Sequence, residues 1–546
     1  MEVAMHPTAH AAVLGILSHI FYFNRGEHHL YAEAYIKFFV GIATATVLGL
    51  RYLSSPAVNF VDAVRIATQL LASFLAGLYG SLAVYRLWLH PLGRFPGPRA
   101  ARLSSLYMVG RIGHACHTLL DLHAQYGPYV RTGSSDLSVI DPHAVEAIYG
   151  TRSPCTKDPW YDWSHGNHSL NTHRDPVSHH IHRRAWSPAF SDKMVRGYEL
   201  RARVYRQKLV EQLRASGATP VDLHHWISLY SFDVMGDLAF GKSFGCLETG
   251  EEHWVVTLLK GSMVFFGIGF PVWVFLTIRN TPGLMSDFWK LVDWCAKRFQ
   301  QRLENEPEVP DISAALIGSL RGKPPTPDEI HRLNSDARVV LIAGSDTTAN
   351  ALTAIFYLLA HHPHEIEKLR RELEPYRDAD PSAGDEFLHS QIAQLPHLNG
   401  VINEGLRLFP AVPGTLPRKT PPEGIVVQGV RIPGDITVYC PQWVMARSAE
   451  LSYAKPFEFI PERWYSRPEL IRNKSAFIPF SIGPYNCVGR PLALLNMRTT
   501  IARLITSFDI ELGPGETKEK FLRNVKDCFV MELGSLNLTL SPRGGA

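Results

Sequence analysis

The stretch Phe480-Ser481-Ile482-Gly483-Pro484-Tyr485-Asn486-Cys487-Val488-Gly489 puts a cysteine in a Gly/Pro-rich loop, just ahead of helix-forming residues from Leu492 to Arg498. Backbone N–H groups and the dipole at a helix start favour a thiolate, which is a nucleophile and a metal ligand. Gly483 and Gly489 let the backbone turn and approach a flat cofactor closely, and Phe480 is placed to shield the sulfur from water. A second unusual group is Ala343-Gly344-Ser345-Asp346-Thr347-Thr348, in the middle of the long helical pattern Leu333–Ala360 that stops before Pro363. Glycine and adjacent threonines cost helix stability. Breaking the local rule there points to function: a carboxyl and a hydroxyl that can hand on protons, beside small residues that leave room above a cofactor. Glu404 and Arg407, three apart, share one helix face, and Pro461-Glu462-Arg463-Trp464 comes later in the chain. Between them, Ile425–Val427 and Val430–Ile432 read as a hairpin around Gln428-Gly429, continued by Ile436–Tyr439.

In this order and spacing, the cysteine loop, the acid–alcohol helix, Glu-x-x-Arg and Pro-Glu-Arg-Trp resemble the cytochrome P450 family. Cys155-Thr156-Lys157-Asp158-Pro159-Trp160-Tyr161 and Gly483–Cys487 are most similar to membrane-bound fungal members that tailor secondary metabolites. The resemblance implies a mainly α fold with small β-sheets and a haem b whose iron takes Cys487 as axial thiolate, a ligand that pushes electron density onto the metal. It implies catalytic roles for Asp346 and Thr347, and a substrate pocket lined by Ala343, Ala411 and Val412. It makes Phe480, Tyr485 and Gly489 part of the cofactor loop, and Glu404, Arg407 and Arg463 a buried structural triad. Counting back from Ser187-Pro188-Ala189-Phe190, Arg183 falls where the family holds a haem propionate, and Arg418 lies where it often supplies another such contact. His179 stands where a tryptophan is common. The loop departs from the family pattern at Tyr485, where a basic residue facing a propionate is usual. A phenol cannot neutralise a carboxylate, so Arg183 and Arg418 are expected to carry that charge.

The implied reaction inserts one oxygen atom of O2 into a lipophilic small molecule by hydroxylation, epoxidation or successive oxidation. No flavin or dinucleotide domain is visible, so NADPH electrons are expected through a separate NADPH–cytochrome P450 reductase, with cytochrome b5 as a further donor. Arg490 and Arg498 near Cys487 are candidates for attracting that acidic partner. Two other readings stay open: an oxygen-independent haem-thiolate isomerase or dehydratase, and a non-catalytic membrane haem-binding protein. The Asp346/Thr347 pair argues against the first. Retention of biological output in Thr347→Ala would favour the second.

These residues must be carried by a chain of 546 residues, 46% hydrophobic, with a formal charge of +4 and seven cysteines. The charge is too weak and diffuse to suggest nucleic-acid binding. The scattered cysteines lack C-x-x-C spacing, which argues against a disulfide framework and fits a reducing compartment. Residues 66–85 carry no charge and lie between Arg65 and Arg86; twenty helical residues span about 30 Å, one bilayer core. Residues 9–23 and 36–53 are weaker candidate spans, the first because it holds His10 and His19. Arg86, Arg94, Arg99 and Arg102 come directly after the strong span and place the remainder of the chain in the cytosol, as expected for an endoplasmic reticulum enzyme facing that side. The stretch from His90 to Pro98 reads as a stiff hinge, so residues 1–90 form a membrane-anchor region and 91–546 a haem-thiolate domain. Val255–Leu276, Gly/aromatic-rich and apolar, matches the pocket roof in related enzymes. A histidine-rich run from His165 to His182 offers a metal site as its sharper reading, but its spacing is irregular and it lacks acidic or thiolate partners.

Overall fold

The structure is a computed structural model. It describes residues 6–53, 58–109, 111, 113–267, 269–305, 310–318, 325–377, 386–414 and 416–543, the side chains of 263–267 excepted. The chain divides into two compact units, one of residues 1–109, 130–137 and 270–285, the other of the remainder.

The first unit is built on three apolar N-terminal helices. His29–Tyr52 and Phe60–Leu89 are long and apolar enough to cross a membrane, and they leave their apolar residues on the outside, Phe38, Val40, Val61 and Tyr79 among them. Outward apolar faces suit lipid rather than water as the surrounding medium. The expected span at 66–85 lies inside Phe60–Leu89, whose start is fixed by Asn59, its side-chain oxygen accepting from the Asp62 N–H at 2.8 Å. Pro7–Phe23 is shorter than a full span. It packs backbone to backbone on the third helix: a Cβ added at Gly77 would lie 2.0 Å from the Ala12 carbonyl oxygen, and one at Gly15 would lie 2.1 Å from that of Phe74. Small residues that admit such approach are the usual means of joining helices in lipid. His19, which weakened this stretch as a span, is buried and shares a 2.8 Å hydrogen bond with the Ser81 hydroxyl. At the hinge, Gly97 adopts φ +155° and a Cβ there would meet the Arg131 carbonyl oxygen at 2.2 Å. Glycine is therefore required where the proline-rich segment presses on residues 130–137.

The second unit is mainly helical. Its longest helix, Pro327–His361, starts on a full capping box in which Thr326 and Glu329 exchange side-chain and backbone hydrogen bonds. That helix also meets the length and hydropathy of a membrane span, but 67% of its apolar window is buried inside the protein, so it is a core helix. It packs along Leu223–Phe240, which is buried nearly all round. Small sheets complete the unit. Arg418–Lys419 pairs antiparallel with Thr156–Lys157 on one side and Thr437–Tyr439 on the other. Ile425–Val427 and Val430–Ile432 form the expected hairpin around Gln428-Gly429, both turn residues having positive φ. The expected continuation of that hairpin into Ile436–Tyr439 is not found. Instead Thr437–Tyr439 leaves it and pairs with Arg418–Lys419, which sets Arg418 in register beside the site. Lys526–Cys528 and Val530–Glu532 form a second hairpin.

Candidate active site

Cys487 sits at the end of a loop closed on itself. Its N–H donates to the Phe480 carbonyl at 2.8 Å, and the Asn486 N–H donates to Gly483 at 3.2 Å. Ser481 and Gly483 both adopt positive φ. A Cβ on Gly483 would lie 2.2 Å from the Tyr149 carbonyl oxygen, so only glycine lets the loop lie against that turn. Gly489 then caps the helix Arg490–Ser507, and the N–H groups of Gly489 and Arg490 point to the sulfur. Cys487 is exposed where the six other cysteines are buried. Its thiol pKa nonetheless lies above the ordinary value. Surrounding protein desolvates it, while the Gly489 and Arg490 N–H groups and the Arg183 and Arg490 cations only partly offset that. The accessible sulfur therefore opens on a protein-walled space rather than on bulk water. A thiol in that setting becomes a thiolate when a cationic metal binds it. The Phe480 ring is half-buried beside the Arg490 guanidinium, 5.8 Å from it.

Three cations gather next to this loop. Arg418, 2% exposed, donates to the Tyr161 hydroxyl at 3.1 Å and the Pro417 carbonyl at 3.0 Å, and its Nε, also buried, has no partner among the described residues. Arg183 donates through both terminal nitrogens to Asn486, at 2.6 Å to its carbonyl and 2.6 Å to its side-chain oxygen, tying the cysteine loop to the helix Pro176–Trp186. The third cation is Lys157, which sequence reasoning does not single out although it lies in the distinctive segment Cys155–Tyr161. None of the three has a carboxylate partner among the described residues. Tyr485 lies among them, its ring 5.0 Å from the Lys157 ammonium, 5.0 Å from the Arg418 guanidinium and edge-on to His179 at 4.6 Å. Burial, together with Lys157 and Arg183, holds the His179 pKa down at about 3, so its ring is neutral. A cavity of about 570 Å³ touches Tyr149, His179, Arg183 and Tyr485, but Cys487, Lys157 and Arg418 do not line it. An open thiol on a glycine-rich loop, beside desolvated cations without anions, fits an iron porphyrin that carries two carboxylates.

The middle of Pro327–His361 supplies a different chemistry. Ala343 is the one exposed residue of the helix between Ser335 and His361, and the Thr347 hydroxyl, one turn on, donates to the Ala343 carbonyl at 2.7 Å. Gly344, expected to leave room above a cofactor, does something else: a Cβ there would lie 2.4 Å from the Met235 methyl carbon. It is a packing glycine for the neighbouring helix, and the open face belongs to Ala343 and Thr347. Asp346 borders a pocket of about 120 Å³ with Lys260, Glu532 and His224. Burial pushes its pKa up to about 7; Lys260 opposes the shift, and Glu252 and Glu532 add to it. Lys260 is itself ion-paired with Glu252. A carboxyl poised near neutrality can both accept and release a proton.

The remaining expected residues hold the frame. Glu404 accepts from Arg407 at 2.7 and 2.9 Å, Arg463 at 3.2 Å, the Trp464 indole at 2.9 Å and the Ile460 N–H at 3.1 Å. Both arginines spend their other nitrogens on carbonyls, Arg407 on Ala446 and Pro456, Arg463 on Ala454 and Leu470. Ala411 and Val412 are half-buried, and the Ala411 carbonyl accepts from Met531 of the Lys526–Glu532 hairpin at 2.8 Å. The histidine run forms a row of ring contacts, His165 to His168 to His173 to His182, ending where His182 meets buried Asp336 at 2.5 Å. Asp336 also accepts from the Leu170 N–H, so the run pins its loop to the long helix.

This combination of an open loop cysteine, an acid–alcohol helix and a buried Glu-Arg-Arg lock defines a haem-thiolate oxygenase. The sequence model of cytochrome P450 matches residues 96–538. The chain is 45% identical over 534 residues to "Cytochrome P450 monooxygenase notG'" of Aspergillus versicolor, covering 97% of each. It is 44% identical over 542 residues to "Tryprostatin B 6-hydroxylase" of Aspergillus fumigatus, covering 98% of this chain and 96% of the relative. It is 42% identical over 477 residues to "Cytochrome P450 monooxygenase sthD" of Phaeosphaeria nodorum, covering 86% and 99%. The chain belongs to the cytochrome P450 family. It is a haem-dependent monooxygenase that takes its electrons from NADPH through a redox partner.

Proposed function

We propose that the enzyme hydroxylates a lipophilic fungal secondary metabolite, with Cys487 as the axial ligand of the haem and the open face at Ala343 and Thr347 turned to the substrate. The observation carrying this reading is the contrast between one accessible cysteine on a glycine-rich loop and six buried ones. The bound haem supplies reductive activation of dioxygen. Arg183 and Arg418 hold its carboxylates, and Phe480 and Gly489 let the loop lie close. Asp346 takes a proton from the pocket it shares with Lys260 and passes it toward the Thr347 hydroxyl. Ala411 and Val412 wall the pocket on the side of the Lys526–Glu532 hairpin. Glu404, Arg407 and Arg463 keep this frame rigid without touching the reacting atoms.

NADPH–cytochrome P450 reductase is the electron donor in this reading, with cytochrome b5 as a second. Arg490 is exposed and free to meet an acidic partner. Arg498 is half-buried and committed to the Asn399 side chain at 2.7 and 3.0 Å, so it contributes less to docking. The N-terminal helices hold the protein in the endoplasmic reticulum membrane with the catalytic unit in the cytosol. Two relatives, 44% and 43% identical, are named for 6-hydroxylation of tryprostatin B, which makes that compound the first substrate to test. Microsomes carrying the full chain and a reductase, given NADPH, tryprostatin B and ¹⁸O2, are expected to form a product bearing one ¹⁸O atom. Unchanged tryprostatin B from microsomes with an intact ferrous carbon-monoxide band would discard that substrate.

A further inference from the structure

Lys157 stands where a lysine has little reason to be. It is 3% exposed, and its ammonium donates to the Leu170 carbonyl at 3.1 Å and the Asn171 carbonyl at 2.8 Å, which leaves one of three N–H groups unspent. In the antiparallel ladder it lies directly opposite Arg418. Like charges opposite one another across two strands destabilise the pair, and burial strengthens the repulsion. The adjacent carboxylate does not relieve it, because Asp158 is occupied by the Thr437 hydroxyl at 2.6 Å and the Trp160 N–H at 2.8 Å. Both cations instead lie over the Tyr485 ring, each 5.0 Å from its centre, and Lys157 is 5.4 Å from the Tyr161 ring. An aromatic face attracts a cation but does not cancel its charge.

We propose that Lys157 is a third cation of the haem-carboxylate site, supplying from the strand the positive charge that the cysteine loop lacks at Tyr485. The inference rests on the haem-thiolate reading and adds a residue to it. Tyr485 then acts as a neutral spacer whose ring keeps Lys157 and Arg418 apart and aimed at the same anion pair. The opposing account makes Lys157 only a strut that ties residues 170–171 to the strand through two carbonyls.

The rate of haem transfer from the full-length holoenzyme to apomyoglobin separates the two. Lys157→Met keeps most of the stem and removes the charge; haem loss is expected to quicken roughly ten- to hundredfold, the effect of one charge-assisted hydrogen bond. Lys157→Arg should stay near the wild-type rate. Adding Tyr485→Arg to Lys157→Met should restore slow loss, because charge returns to the same anion from the loop. With haem dimethyl ester, whose carboxylates are uncharged, the wild type and Lys157→Met should lose the group equally fast. An unchanged rate in Lys157→Met overturns the proposal. So does a faster rate that neither Tyr485→Arg nor the ester series alters, because a strut would behave that way. If Lys157→Met does not accumulate, Lys157→Gln, which keeps a donor for the Leu170 and Asn171 carbonyls but removes the charge, takes its place: haem loss quickened relative to the wild type, with ester loss unchanged, supports the proposal, and equal haem loss overturns it. Persistence of the thiolate-type carbon-monoxide band in Cys487→Ser would sink the ligand assignment instead, and leaves the retention results to be read separately.

Discussion

Among single residues, Asp346 shows how the protein sets a pKa without a dedicated ion pair. Its carboxyl opens only onto a small pocket, and loss of water raises its pKa to about 7 even with Lys260 nearby. A carboxyl whose folded pKa exceeds its unfolded value binds extra protons in the folded state. Stability is therefore lost as pH rises from about 4 to about 7, and the loss is complete above that window. Asp346→Asn should accordingly unfold at higher denaturant than the wild type at pH 8, by roughly 4 kcal/mol. The gap should narrow as pH falls toward 5, while coupled product formation drops at every pH. Equal stability of the two proteins at pH 8 would contradict this account. Cys487, Asp346 and Thr347 stand out in the chain because each sits in a short stretch that breaks a local rule. Lys157 does not stand out, because what makes it unusual is Arg418, far away in sequence and brought opposite only by strand pairing.

At the scale of elements, the same division holds. The long helix, its end before Pro363 and the hairpin at Gln428-Gly429 follow from period and turn chemistry, and all are legible. The face that Gly344 presents is not, since only the packed neighbour shows that its missing side chain admits Met235. Strand Thr437–Tyr439 departs from expectation for a related reason: strands two or three residues long carry no pattern that names their partner. The Glu404 lock joins the helix Pro396–Leu408 to the turn Pro461–Trp464 through fully buried groups. Glu404→Gln leaves two guanidiniums without their counter-charge in the interior, where stranding a partner costs about 3–5 kcal/mol. Chemical unfolding should show a loss of that size, together with a poorly haem-loaded protein. A shift below about 1 kcal/mol, the worth of an ordinary hydrogen bond, would mean the backbone carbonyls alone hold Arg407 and Arg463.

For the molecule as a whole, the apolar exteriors of His29–Tyr52 and Phe60–Leu89 make membrane association the expected state. Carbonate washing should leave the full chain in the pellet. Three acceptor sequences, at Asn167, Asn473 and Asn537, lie in the unit assigned to the cytosol. Endoglycosidase treatment should therefore leave electrophoretic mobility unchanged, and a downward shift would reverse the assigned orientation. The cation cluster around Tyr485 reaches beyond binding. Arg418 and Arg183 disfavour the charged form of Lys157 in the folded chain; under the proposed carboxylate site, haem would relieve that repulsion, and the gain in stability on loading would exceed what the contacts alone provide. In a living cell, quality control would remove the unloaded form first. The amount of this enzyme, and with it the flux through its step, should then track the supply of haem more closely than the level of its own transcript.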